Sequence, residues 1–578
     1  MTVSGWLKVS PKVFLFAGFM LILGIAVACG SSATSTALPT TAPTATVVAP
    51  ADGVPTAMPD TATKPPQETV PQETVTIMNA VWGNERFVPR DAVGEVATYG
   101  RALHGYLVAG NVRSEMIPGI ATAWSISEDG LVWDFKIREG VKFHDGSVLT
   151  LDDVLFTMDH TFGPESAEFA LEASLAAIAK TTASIEGVGT DTLRITHTKA
   201  FASFLFLLSE MVAPNSGAIM PKAYFEQVEL EGYNRDPIGA GAFEVVTYKP
   251  AEQILLERFD DHYYQPDNGF SEDRRPKFQT LDLRLVSSLP TRVAALAAGN
   301  ADIVESNIAV RNQIQRGGGR IIFSQESSYT WLFIPGCWKV ELVCSNKDVR
   351  EALDYAIDKQ LIIDQLYSSD SAAAKGWTAA TPSALGYSPD LDPLPFDPVK
   401  AQELMTRAGY PGGEGFPKLK MNTWEAGDIP FMPEQAEVIA QMWETNLGIE
   451  VDVVVGDANT IRGRWLAREL DGEVIFRTNE ARWDGGSNYN ALYGTLDSAA
   501  RVSEDPVLRA AMNEAFAIVA PELRQDAFNK VYKQLREAHY DFSTLYVNLP
   551  WGVGPRIATW EPWPLAPYQT ALWTIELK

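Results

Sequence analysis

Residues able to do catalysis are present in the chain, but they lack the spacings that catalytic motifs need. The six histidines include no HExxH, the helical spacing of zinc hydrolases. Neither a phosphate-binding GxxxxGK[ST] loop nor a GxSxG nucleophile turn occurs. His144, in Lys-Phe-His-Asp-Gly, is interpreted as a structural residue of a turn. The chain is therefore predicted not to be an enzyme, and no cofactor or metal site is expected.

The aromatic content favours recognition of a solute. The chain has 15 Trp and 18 Tyr. Indole and phenol rings can stack on sugar rings or cover apolar side chains, and an Arg guanidinium can hold a carboxylate through two hydrogen bonds. Packing in a core is the alternative interpretation for any single Trp.

Length and charge restrict the class of protein further. A chain of 578 residues is too long for one core, so two or more lobes are expected. Acidic residues outnumber basic ones, 73 to 47, for a formal charge of −26. This balance argues against sequence-independent binding of nucleic acid, which needs a basic face.

The N-terminal residues have the pattern of an export signal. Lys8 and Lys12 precede an apolar run over residues 13–28, which ends in Ala26-Val27-Ala28-Cys29. The run is shorter than the roughly 20 residues that span a bilayer, although a retained anchor helix is an alternative. Small residues before a cysteine resemble a bacterial lipobox, with Ala26 where Leu is usual. We expect residues 1–28 to be a lipoprotein signal peptide and Cys29 to carry lipid.

A tether is predicted over residues 29–73. Ser, Thr, Ala and Pro fill nearly every position, without aromatic residues or hydrophobic periodicity. Such a segment cannot bury enough apolar surface to offset the entropy of ordering, and its prolines favour extended conformations. Glycosylation of the tether is a further compositional possibility.

From residue 74 the pattern changes to a mixture of strands and helices. Residues 74–78 and 131–137 alternate as strands do, and Thr150 with Asp153 forms a capping box before a helix. Residues 433–446 predict a helix stopped by Gly448, and residues 449–455 predict a buried strand after it. This order is typical of a layered α/β domain.

A long segment from Pro118 resembles the signature of the solute-binding proteins of peptide and nickel ABC importers, the bacterial extracellular solute-binding family 5. The matching positions are Pro118, Ala121, Trp124, Ser127, Asp129, Gly130, Trp133, Phe135, Arg138, Gly140, Val141, Lys142, Phe143, Asp145, Gly146, Asp153, Val154 and Phe156. Further blocks resemble the family in the same order, over residues 237–243, 256–264, 296–303, 348–359 and 395–410.

The resemblance implies an α/β two-lobe periplasmic-binding-protein fold, class II in its large form with an extra subdomain, and a ligand cleft between the lobes. Lobe I is expected at residues 74–325 with a subdomain at about 108–236, lobe II at 326–544, and a return to lobe I at 545–578. The implied function is that of a lipid-anchored, extracytoplasmic, monomeric receptor that captures a peptide or similar solute by hinge closure. Its partners would be an ABC permease and ATPase, with no nucleic acid.

The family's pattern also indicates where ligand groups come from. The candidate ligand-binding residues are Trp82, Arg86, Tyr329, Trp331, Trp424, Arg477, Glu480, Trp483 and Asp484. Peptide binders of the family have Trp-x-Ala-Asp-Tyr in the last region, and its Asp pairs with the peptide ammonium. Here Trp483-Asp484-Gly485-Gly486 replaces it. An oligosaccharide or sugar conjugate therefore stays open as the ligand, as do a signalling role instead of uptake and an extracellular hydrolase on the same scaffold.

Cys337 and Cys344 are predicted to form a local disulfide. An exported chain lies in an oxidising compartment, and the two cysteines are seven positions apart. Two free buried thiols are the alternative.

The lipobox interpretation predicts the fate of a Cys29→Ala variant. Without the thiol, we expect the protein to be released from membranes or to keep its signal uncleaved. Detergent partition and mass spectrometry of the N-terminal peptide measure this. Processing and partition identical to wild type would contradict the prediction.

Overall fold

The computed structural model describes residues 73–578 except 93, 112–114, 169–172, 212–215, 379, 427–428, 486–492, 494–501, 519–520 and 567. The predicted signal peptide, Cys29 and the predicted tether, apart from Glu73, lie outside the described residues. Within the described part, no helix has the length and apolar character needed to cross a membrane.

The strands of the described part are, in chain order, β1 (Thr74–Asn79), β2 (Val108–Gly110), β3 (Met116–Pro118), β4 (Ala121–Ile126), β5 (Val132–Ile137), β6 (Thr182–Val188), β7 (Thr192–His197), β8 (Phe243–Lys249), β9 (Gln253–Arg258), β10 (Thr280–Leu285), β11 (Ile303–Glu305), β12 (Arg320–Phe333), β13 (Ala372–Ala373), β14 (Leu419–Thr423), β15 (Val451–Val455), β16 (Val474–Glu480), β17 (Asp541–Val553), β18 (Ile557–Thr559) and β19 (Glu576–Leu577).

The α-helices are α1 (Ala97–Leu103), α2 (Leu151–Phe162), α3 (Ala173–Ala179), α4 (Phe204–Leu207), α5 (Lys222–Arg235), α6 (Leu289–Ala298), α7 (Arg311–Arg316), α8 (Lys347–Tyr355), α9 (Lys359–Leu366), α10 (Pro398–Arg407), α11 (Met432–Leu447), α12 (Ala458–Leu466), α13 (Pro506–Ala517) and α14 (Pro521–Ala538).

One large mixed sheet crosses the protein. Among the described residues it has eleven strands in the order β15-β14-β16-β12-β17-β11-β1-β10-β9-β8, with β13 paired to β17. The central pair, β12 and β17, is long and antiparallel. The first half of β12 lies beside the end of β17 that also pairs with β11, and its second half pairs with β16. The two ends of the sheet are therefore joined through this one pair.

The pairing of β12 with β17 shifts register at two places. The larger interruption lies near the middle, between Ser324 and Ser328, and a second shift lies between Thr330 and Trp331. An extra-residue irregularity of this kind bends a strand and increases its local twist. The interruption falls beside residue 325, where the sequence places the lobe boundary, and that boundary stays a prediction.

Separate hydrophobic cores flank the central pair. One is built on β12, β14 and β16 with α8, α11 and α14. A second lies between the small antiparallel sheet β4-β5-β7-β6 and α2, and a third surrounds β1, β9 and β10. Trp483 packs against both the first core and the second. Apolar side chains at period 2 on the strands and period 3.6 on the helices place each core.

Local signals in the sequence are confirmed in most places. The capping box of α2 forms, with the Thr150 backbone N–H donating to Asp153 Oδ2 at 2.8 Å. Gly448 ends α11 with a left-handed φ of 73°. The expectation of a buried strand after it is wrong, because β15 is the edge strand of the sheet and Val455 is 50% exposed.

A disulfide joins Cys337 and Cys344, and both residues are buried. The loop that it closes contains Val340, which is 90% exposed, and Trp338, whose ring lies 4.9 Å from the Arg468 guanidinium.

We expect peptide mapping of the unreduced protein to show this single link. A loop of this length should stabilise the fold by about 2.5 kcal/mol through the entropy of the unfolded chain. A Cys337→Ser/Cys344→Ser variant should therefore melt at a lower temperature by calorimetry. Two alkylatable thiols in freshly exported protein would refute the link, and an unchanged melting temperature would refute its contribution.

Candidate functional site

A cavity of about 290 Å³ opens where several strands end. β1 and β11 are parallel neighbours, so their carboxyl ends meet at one edge of the sheet. Ala80 follows β1, and Glu305 with Ser306 lies at the end of β11. Such edges are the usual binding crevices of open α/β sheets. The remaining lining residues are Val81, Glu95, Glu480, Leu549, Pro550, Trp551 and Tyr568.

Three carboxylates dominate the wall of this cavity. Glu305 accepts a hydrogen bond from the Ala80 N–H at 2.9 Å, and burial raises its pKa. Glu480, at the end of β16, accepts a hydrogen bond from the Tyr568 hydroxyl at 2.8 Å, and its other oxygen lies 3.6 Å from Arg482 Nη2. Glu95 is the third and is half-buried. The arrangement suits a cationic group such as an ammonium, which would replace water around partly buried carboxylates.

Arg477 forms a second charged feature on the same strand. Its guanidinium carbon lies 5.9 Å from the ring centroids of Trp331 and Trp424 and 5.8 Å from that of Trp465. Its Nε donates to the Thr478 carbonyl at 3.1 Å, and no carboxylate of the described residues forms an ion pair with it. Burial lowers the pKa of Arg477 to about 10, so it stays charged at neutral pH. A half-buried cation without a counter-ion suits an incoming anion.

Of the predicted ligand-binding residues, the structure brings Trp331, Trp424 and Arg477 together and places Glu480 in the cavity. Trp424 is half-buried, whereas Trp331 is fully buried. The Trp331 ring stacks on Phe333 with centroids 4.7 Å apart. Trp331 therefore packs beside Arg477 and exposes no ring face to a ligand. Tyr329 is also buried, its hydroxyl accepts from Asn479 Nδ2 at 2.9 Å, and burial raises its pKa to about 12.

Trp82 and Arg86 do not line the cavity. The Trp82 side chain turns into the core around β1 and meets Tyr99 edge-on at 6.3 Å. Arg86 lies at the surface and pairs with Glu231 at 2.9 Å. The loop after β1 contributes Ala80 and Val81 instead.

Trp483 and Asp484 join the two cores and do not line the cavity. The Trp483 ring lies 6.1 Å from Phe206 of the second core. Asp484 is fully buried and pairs with Arg524 of α14. Arg524 Nη2 also donates to Ser203 Oγ at 3.3 Å. The Asp484 carboxylate therefore already neutralises a buried guanidinium.

Sequence reasoning missed Glu95, Glu305 and Tyr568. Glu305 comes two residues after the block at 296–303, and a carboxylate directly after a buried strand was the available signal. Tyr568 lies more than 260 residues further on. Nothing in the local sequence indicates that it meets Glu480. Within the described residues, no group of three or more His, Cys, Asp or Glu side chains is placed to hold a metal ion.

Known proteins share this architecture. The family description "Bacterial extracellular solute-binding proteins, family 5 Middle" matches residues 115–501. Heme-binding protein A of Haemophilus influenzae is 26% identical over 445 residues, 73% of this chain and 76% of that protein. Glutathione-binding protein GsiB of Escherichia coli is 28% identical over 298 residues, 51% of this chain and 53% of that protein.

The solved structure of HbpA2 from Haemophilus parasuis superposes with a TM-score of 0.73 at 21% identity, over 87% of this chain and 100% of that one. The two-lobe α/β fold expected from the sequence is thereby confirmed. The match to the family description covers more than half of the chain. The matched part includes the central strand β12 and also β16, whose last residue lines the cavity. The chain therefore belongs to the family 5 solute-binding proteins, the extracytoplasmic receptors of ABC importers.

Proposed function

We propose that the chain is the receptor for a zwitterionic solute such as a short peptide. The ammonium group lies in the cavity of Glu95, Glu305 and Glu480, and the carboxylate binds Arg477. The observation that carries the proposal is the pairing of a carboxylate cavity with a cation that has no counter-ion among the described residues, both on β16.

The spacing of the two charged features fits a small ligand. Glu480 and Arg477 are three residues apart on β16, about 10 Å along the strand. Because side chains alternate along a strand, the two leave opposite faces, and one solute would reach both around the carboxyl end of β16. A peptide of at least about three residues is needed to cover that length. The glutathione-binding relative, which by its name binds a compound with both ammonium and carboxylate groups, supports this class of solute.

The solute is captured because the central pair of strands, β12 and β17, links the two halves of the sheet. The solute contacts residues of both halves, Glu305 on one side and Arg477 on the other. It therefore binds the closed arrangement better than an open one and shifts the population toward it. The bend at Ser324 and Ser328 supplies the hinge. Lipid on Cys29 and the tether would keep the receptor close to its permease at a high effective concentration.

A neutral oligosaccharide is the second candidate. Trp424 is half-buried beside Arg477, and an indole face in such a place can stack on a sugar ring. For this ligand the three glutamates would act only as hydrogen-bond acceptors.

Peptides with one terminal charge blocked test whether the protein recognises both charges of a zwitterionic solute. Protein purified after native expression is first analysed by mass spectrometry to identify its solute. Calorimetry then compares trialanine with its N-acetyl and C-amide forms. We expect wild-type protein to bind each blocked form about 10- to 100-fold more weakly, the loss of one charge-assisted contact.

Two variants test which residue binds each end of the peptide. Glu480→Gln should lose the discrimination against N-acetylation, and Arg477→Gln the discrimination against C-amidation. Glu231→Gln and Arg464→Gln, at exposed ion pairs, are the matched controls and should behave as wild type. A neutral sugar as the native solute, or equal binding of blocked and free peptide, would overturn the proposal.

The raised pKa of Glu305 predicts how binding depends on pH. Burial keeps this carboxyl protonated up to a higher pH than an exposed Glu, and the protonated form does not attract an ammonium group. Affinity for trialanine should therefore fall as the pH is lowered, beginning above the usual range of a Glu carboxyl. Glu305→Gln should bind more weakly at neutral pH, with a flatter profile by calorimetry. A profile in the variant as steep as that of wild type would assign the titration to another group.

A further inference from the structure

A second, smaller cavity of about 50 Å³ lies behind the wall of the solute cavity. α1 forms one side of it, and the C-terminal segment of residues 563–573 forms another. Charged and aromatic side chains line it, among them Arg101, Glu210, Arg274, Trp563 and Trp573. None of these residues belongs to the proposed solute site.

Most of the charged side chains at this cavity form ion pairs or hydrogen bonds with their neighbours. Arg274 is buried and donates to Glu210 Oε1 and to the Gly110 carbonyl, each at 2.7 Å, and pairs with Glu272. Glu210 also accepts from the Gly110 N–H at 3.0 Å. Burial lowers the pKa of His104 to about 4, so this imidazole is neutral at neutral pH.

Arg101 is the exception. Its Nε donates to the Glu210 carbonyl at 2.8 Å and its Nη2 to the Met211 carbonyl at 3.5 Å. Its Nη1 is buried and has no hydrogen-bond partner, and among the described residues no carboxylate forms an ion pair with its guanidinium. The indole Nε1 of Trp563, whose side chain also lines the cavity, is a second buried donor without an acceptor among the described residues.

Two buried donors and a guanidinium without a direct ion pair define what fits into the cavity. A cavity of this volume has room for one or a few small species, since a water takes about 30 Å³ of the liquid. Water would satisfy the two N–H groups, but burial lowers the pKa of Arg101 by more than the attraction of the Glu210 and Glu480 carboxylates raises it, so the charge would stay only partly compensated. A small anion satisfies both requirements.

We propose that this cavity is an internal site for a small monovalent anion of chloride size, held by Arg101 Nη1 and Trp563 Nε1. The proposal does not rest on the identity of the solute. The anion would fix the C-terminal segment against α1. Gln569 of that segment accepts from Asn79 Nδ2 at 3.0 Å and donates to the Thr98 carbonyl, and its neighbour Tyr568 reaches Glu480 in the solute cavity.

Crystals of the full chain grown or soaked in sodium bromide test the site directly. We expect an anomalous peak between Arg101 and Trp563. Only water in the cavity, or a peak elsewhere and none here, would overturn the proposal.

Melting curves in sodium chloride and in sodium gluconate at equal ionic strength provide the solution test. Chloride should raise the melting temperature of wild type, because it binds only the folded protein. Trp563→Phe keeps an aromatic ring, although a smaller one, and removes the indole donor, and it should weaken the apparent chloride affinity about tenfold. Arg101→Gln should abolish the response, and the Phe variant keeps the test available if the Gln variant does not fold.

Trp82→Phe is the matched control. Trp82 Nε1 is also buried without a partner, but the residue does not line this cavity. The variant should keep the full chloride response. Equal melting in chloride and gluconate, or a response that is lost in Trp82→Phe together with Trp563→Phe, would overturn the assignment.

Discussion

The pairing of β12 with β17 is the constraint on which the rest of the molecule depends. These strands are 14 and 13 residues long, and together they carry the sheet from one half of the protein to the other. β16 attaches to the second half of β12, and β11 attaches to the opposite end of β17. The carboxyl ends of β1, β11 and β16 consequently face one cavity, although they belong to different halves of the chain.

Buried charge explains which polar residues are available to a ligand. Arg524, Arg274 and Lys359 are buried and each has a carboxylate partner, which is the usual condition for a charge away from water. Arg477 and Arg101 have none among the described residues. Arg292 and Arg350 are also buried without an ion pair, but each donates at least three hydrogen bonds to backbone carbonyls. Arg477 and Arg101 donate only one and two such bonds, so in a chain with 26 more acidic than basic formal charges they are the positions left for anions from outside the chain.

The two inferred anion positions differ in access and therefore in role. Arg477 is bounded by the faces of three Trp residues, one of them half-buried, beside strand ends that form the solute cavity. Arg101 lies behind that cavity, in a space too small for a peptide. Tyr568 lines the solute cavity, and the residues that follow it, from Gln569 to Trp573, line the inner one. Occupancy of the inner space would therefore act on Glu480 through the position of the Tyr568 hydroxyl.

Motifs in the sequence were enough to predict the family, the two-lobe α/β class, the disulfide between Cys337 and Cys344 and the caps of α2 and α11. These depend on local spacing or on a long signature, and both can be read without coordinates. Two candidate site residues, Arg477 and Glu480, also came from the position of β16 in that signature. Asp484 looked equally suitable in sequence, yet it is paired with Arg524, 40 residues away.

Only the tertiary structure decided which charged side chains have no ion-pair partner within the described part of the chain. The partners of Asp484, the fully buried state of Trp331 and the meeting of Glu305, Glu480 and Tyr568 all arise from contacts between residues far apart in the chain. β15 shows the same limit on a smaller scale, since its β-branched run predicts a strand but not that the strand lies at an edge. Sequence determined the elements and their family because local spacing carries that information. The structure determined which polar groups remain for a ligand, because the neutralisation of each charge depends on its neighbours in space.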